Sequence, residues 1–254
     1  METVWNTVVA AWGELSVAAM VALPAWVLAL MAMPVLEWIW GERATAWATA
    51  AGVTLQATTV FAVLASAWGW GRAALTALAV VGMGWLVEFI GSRTGVPFGR
   101  YHYTDRLQPQ LGRVPLVIPL AWLMMLPAAW AIADRVAGGR GPAFVLISAL
   151  AFTAWDLFLD PQMVGWRFWV WDRPGGYFGI PWVNFLGWAL ASGLMTAVVS
   201  PGPLPGQPLR LIYAITWLLE VVGLGVFWKK PVPAVCGFLA MGVMLAWAWL
   251  GHSA

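Results

Sequence analysis

The chain has 254 residues, of which 62% are hydrophobic and 9% charged, and its net charge is +2. Soluble domains carry about 25% charged residues, so this composition excludes a soluble globular protein and describes an integral membrane one. The near-balanced charge excludes nucleic acid as a partner. The single cysteine, Cys236, sits in an apolar run, has no partner for an internal disulfide, and reads as a small core residue.

From the N-terminus onward, no cleavable signal peptide is expected: such a peptide opens with positive charge, whereas Glu2 and Glu14 come first and Arg43 is the earliest basic residue. Crossing the hydrocarbon core takes about 20 mainly apolar residues. Eight segments qualify, at 15–39, 46–70, 73–91, 114–133, 142–160, 180–200, 209–228 and 232–250. The expected fold is all-α, a polytopic bundle of about eight transmembrane helices (seven being the alternative), forming one integral membrane domain over 1–254. Most connections are short. The exceptions, 92–113 and 161–179, are rich in Gly, Pro, Arg and aromatics, as structured functional loops are.

With eight spans, both termini share one face and both long loops share the other. The long-loop face holds Arg43, Arg93, Arg100, Arg106, Arg113, Arg167, Arg173, Lys229 and Lys230; the opposite face holds Arg72, Arg135, Arg140 and Arg210. The positive-inside rule then predicts a multi-pass cell-membrane protein with the long loops in the cytoplasm. The acidic residues inside spans, Glu37, Glu88, Asp156, Asp160 and Glu220, all fall in the half of the bundle nearest those loops. A carboxylate finds no solvation in lipid and must face protein or a cavity. Glu37 and Glu220 read equally well as helix-packing or headgroup-level residues. Glu88, Asp156 and Asp160 together point to a functional cavity, with the two aspartates one helical turn apart.

Two histidines, His102 and His252, are too few for a membrane di-iron site. Lys229 and Lys230 sit at a helix end beside Pro231, not deep in a span where a retinal Schiff base would form. The stretch Gly69-Trp70-Gly71-Arg72-Ala73-Ala74 matches a dinucleotide fingerprint in form only, since no strand precedes it. What remains is carboxylates, arginines, tyrosines, Asn184 and 21 tryptophans against 4 tyrosines. Trp5, Trp12, Trp38, Trp40, Trp68 and Trp70 fit an interfacial belt. Trp85, Trp122, Trp155, Trp182 and Trp188 instead flank the acids or the long loops. A carboxylic acid beside aromatic faces is equipment for protonating an alkene and sheltering the resulting cation. Packing alone accounts for any one of these indoles taken singly.

One long block runs Glu88-Phe89-Ile90-Gly91-Ser92-Arg93-Thr94-Gly95-Val96-Pro97-Phe98-Gly99-Arg100-Tyr101-His102-Tyr103-Thr104, then Val114-Pro115-Leu116-Val117-Ile118-Pro119-Leu120-Ala121-Trp122. It resembles the integral-membrane carotenoid biosynthesis family that contains γ-carotene 1′,2′-hydratase and bisanhydrobacterioruberin hydratase. A second block resembles the same family: Asp156 to Asp160-Pro161, Trp169-Val170-Trp171, and Gly176-Tyr177-Phe178-Gly179-Ile180-Pro181-Trp182-Val183-Asn184-Phe185-Leu186-Gly187-Trp188. The resemblance covers about residues 84–190. It implies addition of water to the terminal C1–C2 double bond of an acyclic polyene end, with no cofactor and no metal. The implied partners are a carotenoid substrate, the lipid bilayer and other membrane enzymes of carotenoid synthesis. On chemical grounds Asp160 and Asp156 are expected to share the transferred proton, with Glu88 the competing acid. Arg93, Tyr101 and Tyr103 are expected to hold these groups in place, Asn184 to position water, and Trp85, Trp122, Trp155, Trp182 and Trp188 to line the substrate slot. Two other readings of the acidic pair are a Mg-diphosphate site of a membrane prenyltransferase and the proton site of a transporter.

Overall fold

A computed structural model describes the backbone of residues 4–250 and the side chains from residue 9; Trp5 and His252 lie outside those side chains. A short helix α1 (Val4–Gly13) precedes eight long ones: α2 (Val17–Trp40), α3 (Glu42–Trp68), α4 (Trp70–Thr94), α5 (Val117–Ala137), α6 (Pro142–Gly165), α7 (Trp182–Val199), α8 (Gly206–Val222) and α9 (Pro231–Leu250). A π-helical turn, Gly223–Phe227, prolongs α8. All eight long helices are apolar and long enough to cross a membrane. The molecule is a polytopic all-α bundle, as its hydropathy predicts.

Glycines punctuate the chain where helices must stop abruptly. Gly41, Gly69 and Gly95 adopt φ of 66°, 79° and 79°, which costs a residue without Cβ little. Helix α5 threads the middle of the bundle, and every residue from Ala121 to Ala133 is buried. A helix that is apolar all round and ringed by others suits that place. The peripheral helices expose Val, Leu and Trp outward instead, among them Val21, Leu28, Leu78, Leu194 and Leu239, which a lipid environment accepts. Trp38, Trp40 and Trp70 are exposed at helix ends, where an interfacial belt would lie.

The long loops carry short strands that hydropathy alone did not predict. Strand β1 (Tyr101–Tyr103) pairs antiparallel with β4 (Trp169–Trp171), while β2 (Gln110–Leu111) pairs with β3 (Val114–Pro115). The β1–β4 ladder ties one long loop to the other, so they do share one face of the bundle. Strand side chains alternate between faces, so Tyr101, Tyr103, Trp169 and Trp171 turn toward the helices while His102 and Val170 turn away. The result is an aromatic roof over the loop-side end. Arg106 clamps it to the start of α3 through Glu42 at 2.9 Å and the Trp166 carbonyl at 3.0 Å.

Proline shapes the end of α6. Pro161 has no N–H to give the Leu157 carbonyl one turn back. The Tyr177 hydroxyl donates to that carbonyl instead, at 3.0 Å, and so pins the second loop to the helix that carries both aspartates.

Candidate active site

Beneath the roof lies a chamber lined by residues of α2 to α8 and of both long loops. Its lining is mostly apolar and aromatic, with Trp122, Trp155, Trp166, Trp169, Trp171 and Trp188 among the walls. Trp122, Phe152 and Trp188 stack with ring centroids 4.9–5.2 Å apart, and Trp155 meets Trp188 edge-on at 5.9 Å.

Asp156 and Asp160 face α7 from α6, fully buried at 0% and 2% exposure. One turn of helix separates them, which brings both within reach of a single side chain. That side chain is Asn184, in the first turn of α7. Its amide donates to Asp156 Oδ2 at 2.9 Å and also to Asp160 Oδ2. Asp160 Oδ1 accepts from the Trp169 indole at 3.0 Å, whereas Asp156 Oδ1 is buried without a partner. Asp160 and Asn184 line the chamber.

Glu88, on α4, also lines the chamber and is saturated with donors. Tyr101 and Tyr103 (2.7 Å) donate to its Oε2, and the Trp122 indole donates to Oε1 at 3.1 Å. Burial pushes both phenols well above the ordinary tyrosine range, and the neighbouring carboxylate of Glu88 pushes them further, so they remain protonated donors. Local small residues make this geometry possible. A Cβ at Gly91, three residues after Glu88, would come within 2.7 Å of the Phe98 ring and 3.3 Å of the Tyr101 hydroxyl. A Cβ at Gly187 would meet the Pro97 carbonyl at 2.7 Å, so only glycine lets α7 close against the first loop.

Of the side chains singled out from sequence, Asp160, Glu88, Tyr101, Tyr103, Trp122, Trp155, Asn184 and Trp188 come together around this chamber, with Asp156 held just behind Asp160. Three do not reach it. Arg93 is exposed, lies over the Phe89 ring at 3.6 Å and donates to the Phe89 and Gly112 carbonyls, so it braces the β2–β3 hairpin. Trp85 joins the same brace through its bond to the Leu111 carbonyl at 3.1 Å. Trp182 is 65% exposed and packs on Tyr177 and Phe185 at the rim. Glu37 serves packing, accepting from the Trp228 indole at 2.6 Å. Glu220 instead lines the chamber, together with Gln56, Thr49 and Thr216, none of which sequence spacing singled out. Among the described residues, no group of three or more His, Cys, Asp or Glu side chains is placed to hold a metal ion.

A family model described as "Carotenoid biosynthesis protein" matches residues 48–245. The chain is also 29% identical over 188 residues to the bisanhydrobacterioruberin hydratase of Haloarcula japonica, a match covering 69% of this chain and 64% of that protein. The chain thus matches somewhat under two thirds of that relative's length. No solved structure matches it.

Proposed function

The chain belongs to the carotenoid biosynthesis protein family, and from that premise we propose that it is a membrane hydratase acting on the acyclic end of a carotenoid. The reaction adds water across the terminal C1–C2 double bond and leaves a tertiary alcohol. It needs no redox cofactor and no metal. The similarity to a protein named as a hydratase supports this reading. The observation that carries it is the buried Asp156–Asn184–Asp160 cluster opening onto an aromatic, largely apolar chamber.

Water does not attack an unactivated trisubstituted alkene; protonation at C2 must come first. Two like charges bridged by one amide in a dry site repel strongly, so the pair holds a proton between them. Asp160, the member that faces the chamber, delivers it to C2, and Asp156 behind it shares the proton through the common Asn184 clamp. The π electrons of the double bond form the new C–H bond, and positive charge appears at C1. Glu88 differs in having no second carboxyl bridged to it with which to share a proton, and in having three donors converge on it where two reach Asp160. It acts as the preorganised negative charge facing the cation. The Trp122 and Trp188 faces add cation–π attraction of about 0.5–2 kcal/mol each. The roof covers the loop-side end and limits how much water reaches the cation. The working orientation is a cell-membrane protein with loops 92–113 and 161–179 on the cytoplasmic side, receiving its substrate from the bilayer or from neighbouring enzymes of the same pathway.

Expression in a host that accumulates lycopene or γ-carotene tests the assignment. Pigments heavier by one water are expected by mass spectrometry. A pigment profile identical to that of the empty host, with the protein present in the membrane, would overturn it.

A further inference from the structure

The chamber has a second polar wall, formed by α3 and α8 and distinct from the acid cluster. Gln56 Nε2 donates to Thr216 Oγ1 at 3.0 Å and fixes the level at which these antiparallel helices meet. One turn, about 6 Å, toward the roof from that bond brings Gly52 on α3 and Glu220 on α8. A further turn along α3 brings Thr49. All of these line the chamber. Thr49 Oγ1 is buried without a hydrogen-bond partner. So is the indole Nε1 of Trp155, whose polar neighbour is the Glu220 carboxyl. A further unpartnered indole, that of Trp171, belongs to the roof. A chamber that only enclosed hydrocarbon would gain nothing from such groups, since each buried polar atom left unpaired costs about 1–3 kcal/mol. A buried hydroxyl without a partner, together with an indole N–H beside a carboxyl, all lining one cavity, describes a site for a small molecule that both donates and accepts. The acid cluster offers no such place to a molecule in the chamber, because each oxygen of Asp160 and Glu88 already accepts a hydrogen bond and the one open oxygen, Asp156 Oδ1, belongs to a residue that does not line it.

Resting on the hydration reading, we propose that Glu220, with the Trp155 N–H and the Thr49 hydroxyl, holds the water molecule that is added and removes its proton. The steps balance. The aspartate pair gives a proton to C2, the water oxygen forms a bond to C1, and one O–H bond of that water breaks as its proton passes to the Glu220 carboxylate. Return of that proton from Glu220 to the aspartate pair through solvent closes the cycle. Proton donor and water acceptor are then different carboxyl groups, on α6 and α8.

The test uses the full-length protein in detergent with lycopene in deuterium oxide, reading both the alcohol formed and deuterium in the recovered polyene. Glu220→Leu is expected to lower alcohol formation at least about 10²-fold while deuterium still enters the recovered polyene, because a cation that finds no water gives back a proton and reverts to alkene. Thr49→Val keeps the shape, removes one donor and is expected to lower the alcohol less with the same retained exchange; it decides the matter if Glu220→Leu does not accumulate. Unchanged alcohol formation in these variants, or alcohol and exchange falling in parallel, would overturn the proposal. A wild-type protein that produces neither alcohol nor exchange would overturn the hydration reading itself, which separates the two failures.

Discussion

Replacing Asp160 with Asn is expected to lower turnover by about 10²–10⁴-fold, the usual contribution of a positioned general acid, while the protein still accumulates in the membrane. Asn matches Asp in shape but carries no transferable proton. It can still turn its oxygen to one of the two donors that reach this position, the Trp169 indole or the Asn184 amide. Stability therefore changes less than turnover. Asp156→Asn is expected to lower the rate too, because the transferred proton belongs to the pair, but Asp156 lies behind Asp160 and does not itself line the chamber. Initial rates of alcohol formation, with thermal unfolding measured in the same detergent, separate the two effects. Near-normal rates in both variants would place the acid elsewhere.

Glu88→Gln is expected to act differently, lowering stability and turnover together. Tyr101, Tyr103 and Trp122 all donate to this carboxylate. An amide in its place offers one acceptor oxygen and turns two further hydrogens toward groups that are themselves donors. Each buried donor left unsatisfied costs about 1–3 kcal/mol, and the charge facing the cation is lost, for a fall in rate of about 10²-fold. Tyr101→Phe or Tyr103→Phe, which removes one donor and leaves the charge, is expected to cost less in each case. A Glu88→Gln protein with wild-type melting and no activity, alongside active aspartate variants, would make Glu88 the acid.

The helices were legible in the sequence because crossing a bilayer demands a run of apolar residues that little else produces. The predicted segments 46–70 and 142–160 meet their helices Glu42–Trp68 and Pro142–Gly165 to within a few residues. The side of the bundle holding the acids was legible for a similar reason: counting spans fixes which way each helix runs. The strands escaped hydropathy, although the alternation Tyr101-His102-Tyr103 and Trp169-Val170-Trp171 is the period of a half-buried strand. Only their pairing turns four aromatic rings inward. Arg93 and Trp85 show where spacing fails. Trp85 and Glu88 are three residues apart and so about 60° apart around the helix. That angle is enough for Glu88 to enter the chamber while Trp85 braces the hairpin outside it. Adjacent residues diverge further: Trp155 lines the chamber, and Asp156 beside it reaches the site through Asn184. Asn184 itself lies 24 residues from Asp160, and no local pattern joins them. The α3–α8 wall was hidden because Gln56 and Thr216, 160 residues apart, are single polar side chains in long apolar helices.

The most direct test of hydration through a carboxylic acid is anaerobic incubation of the purified protein with lycopene or γ-carotene, chelator present, in water labelled with oxygen-18 and deuterium. The account predicts an alcohol that carries solvent oxygen at C1 and solvent deuterium at C2, formed without added nicotinamide or metal. An alcohol that forms only in air with oxygen from O₂, or only when metal or nicotinamide is restored, would contradict it.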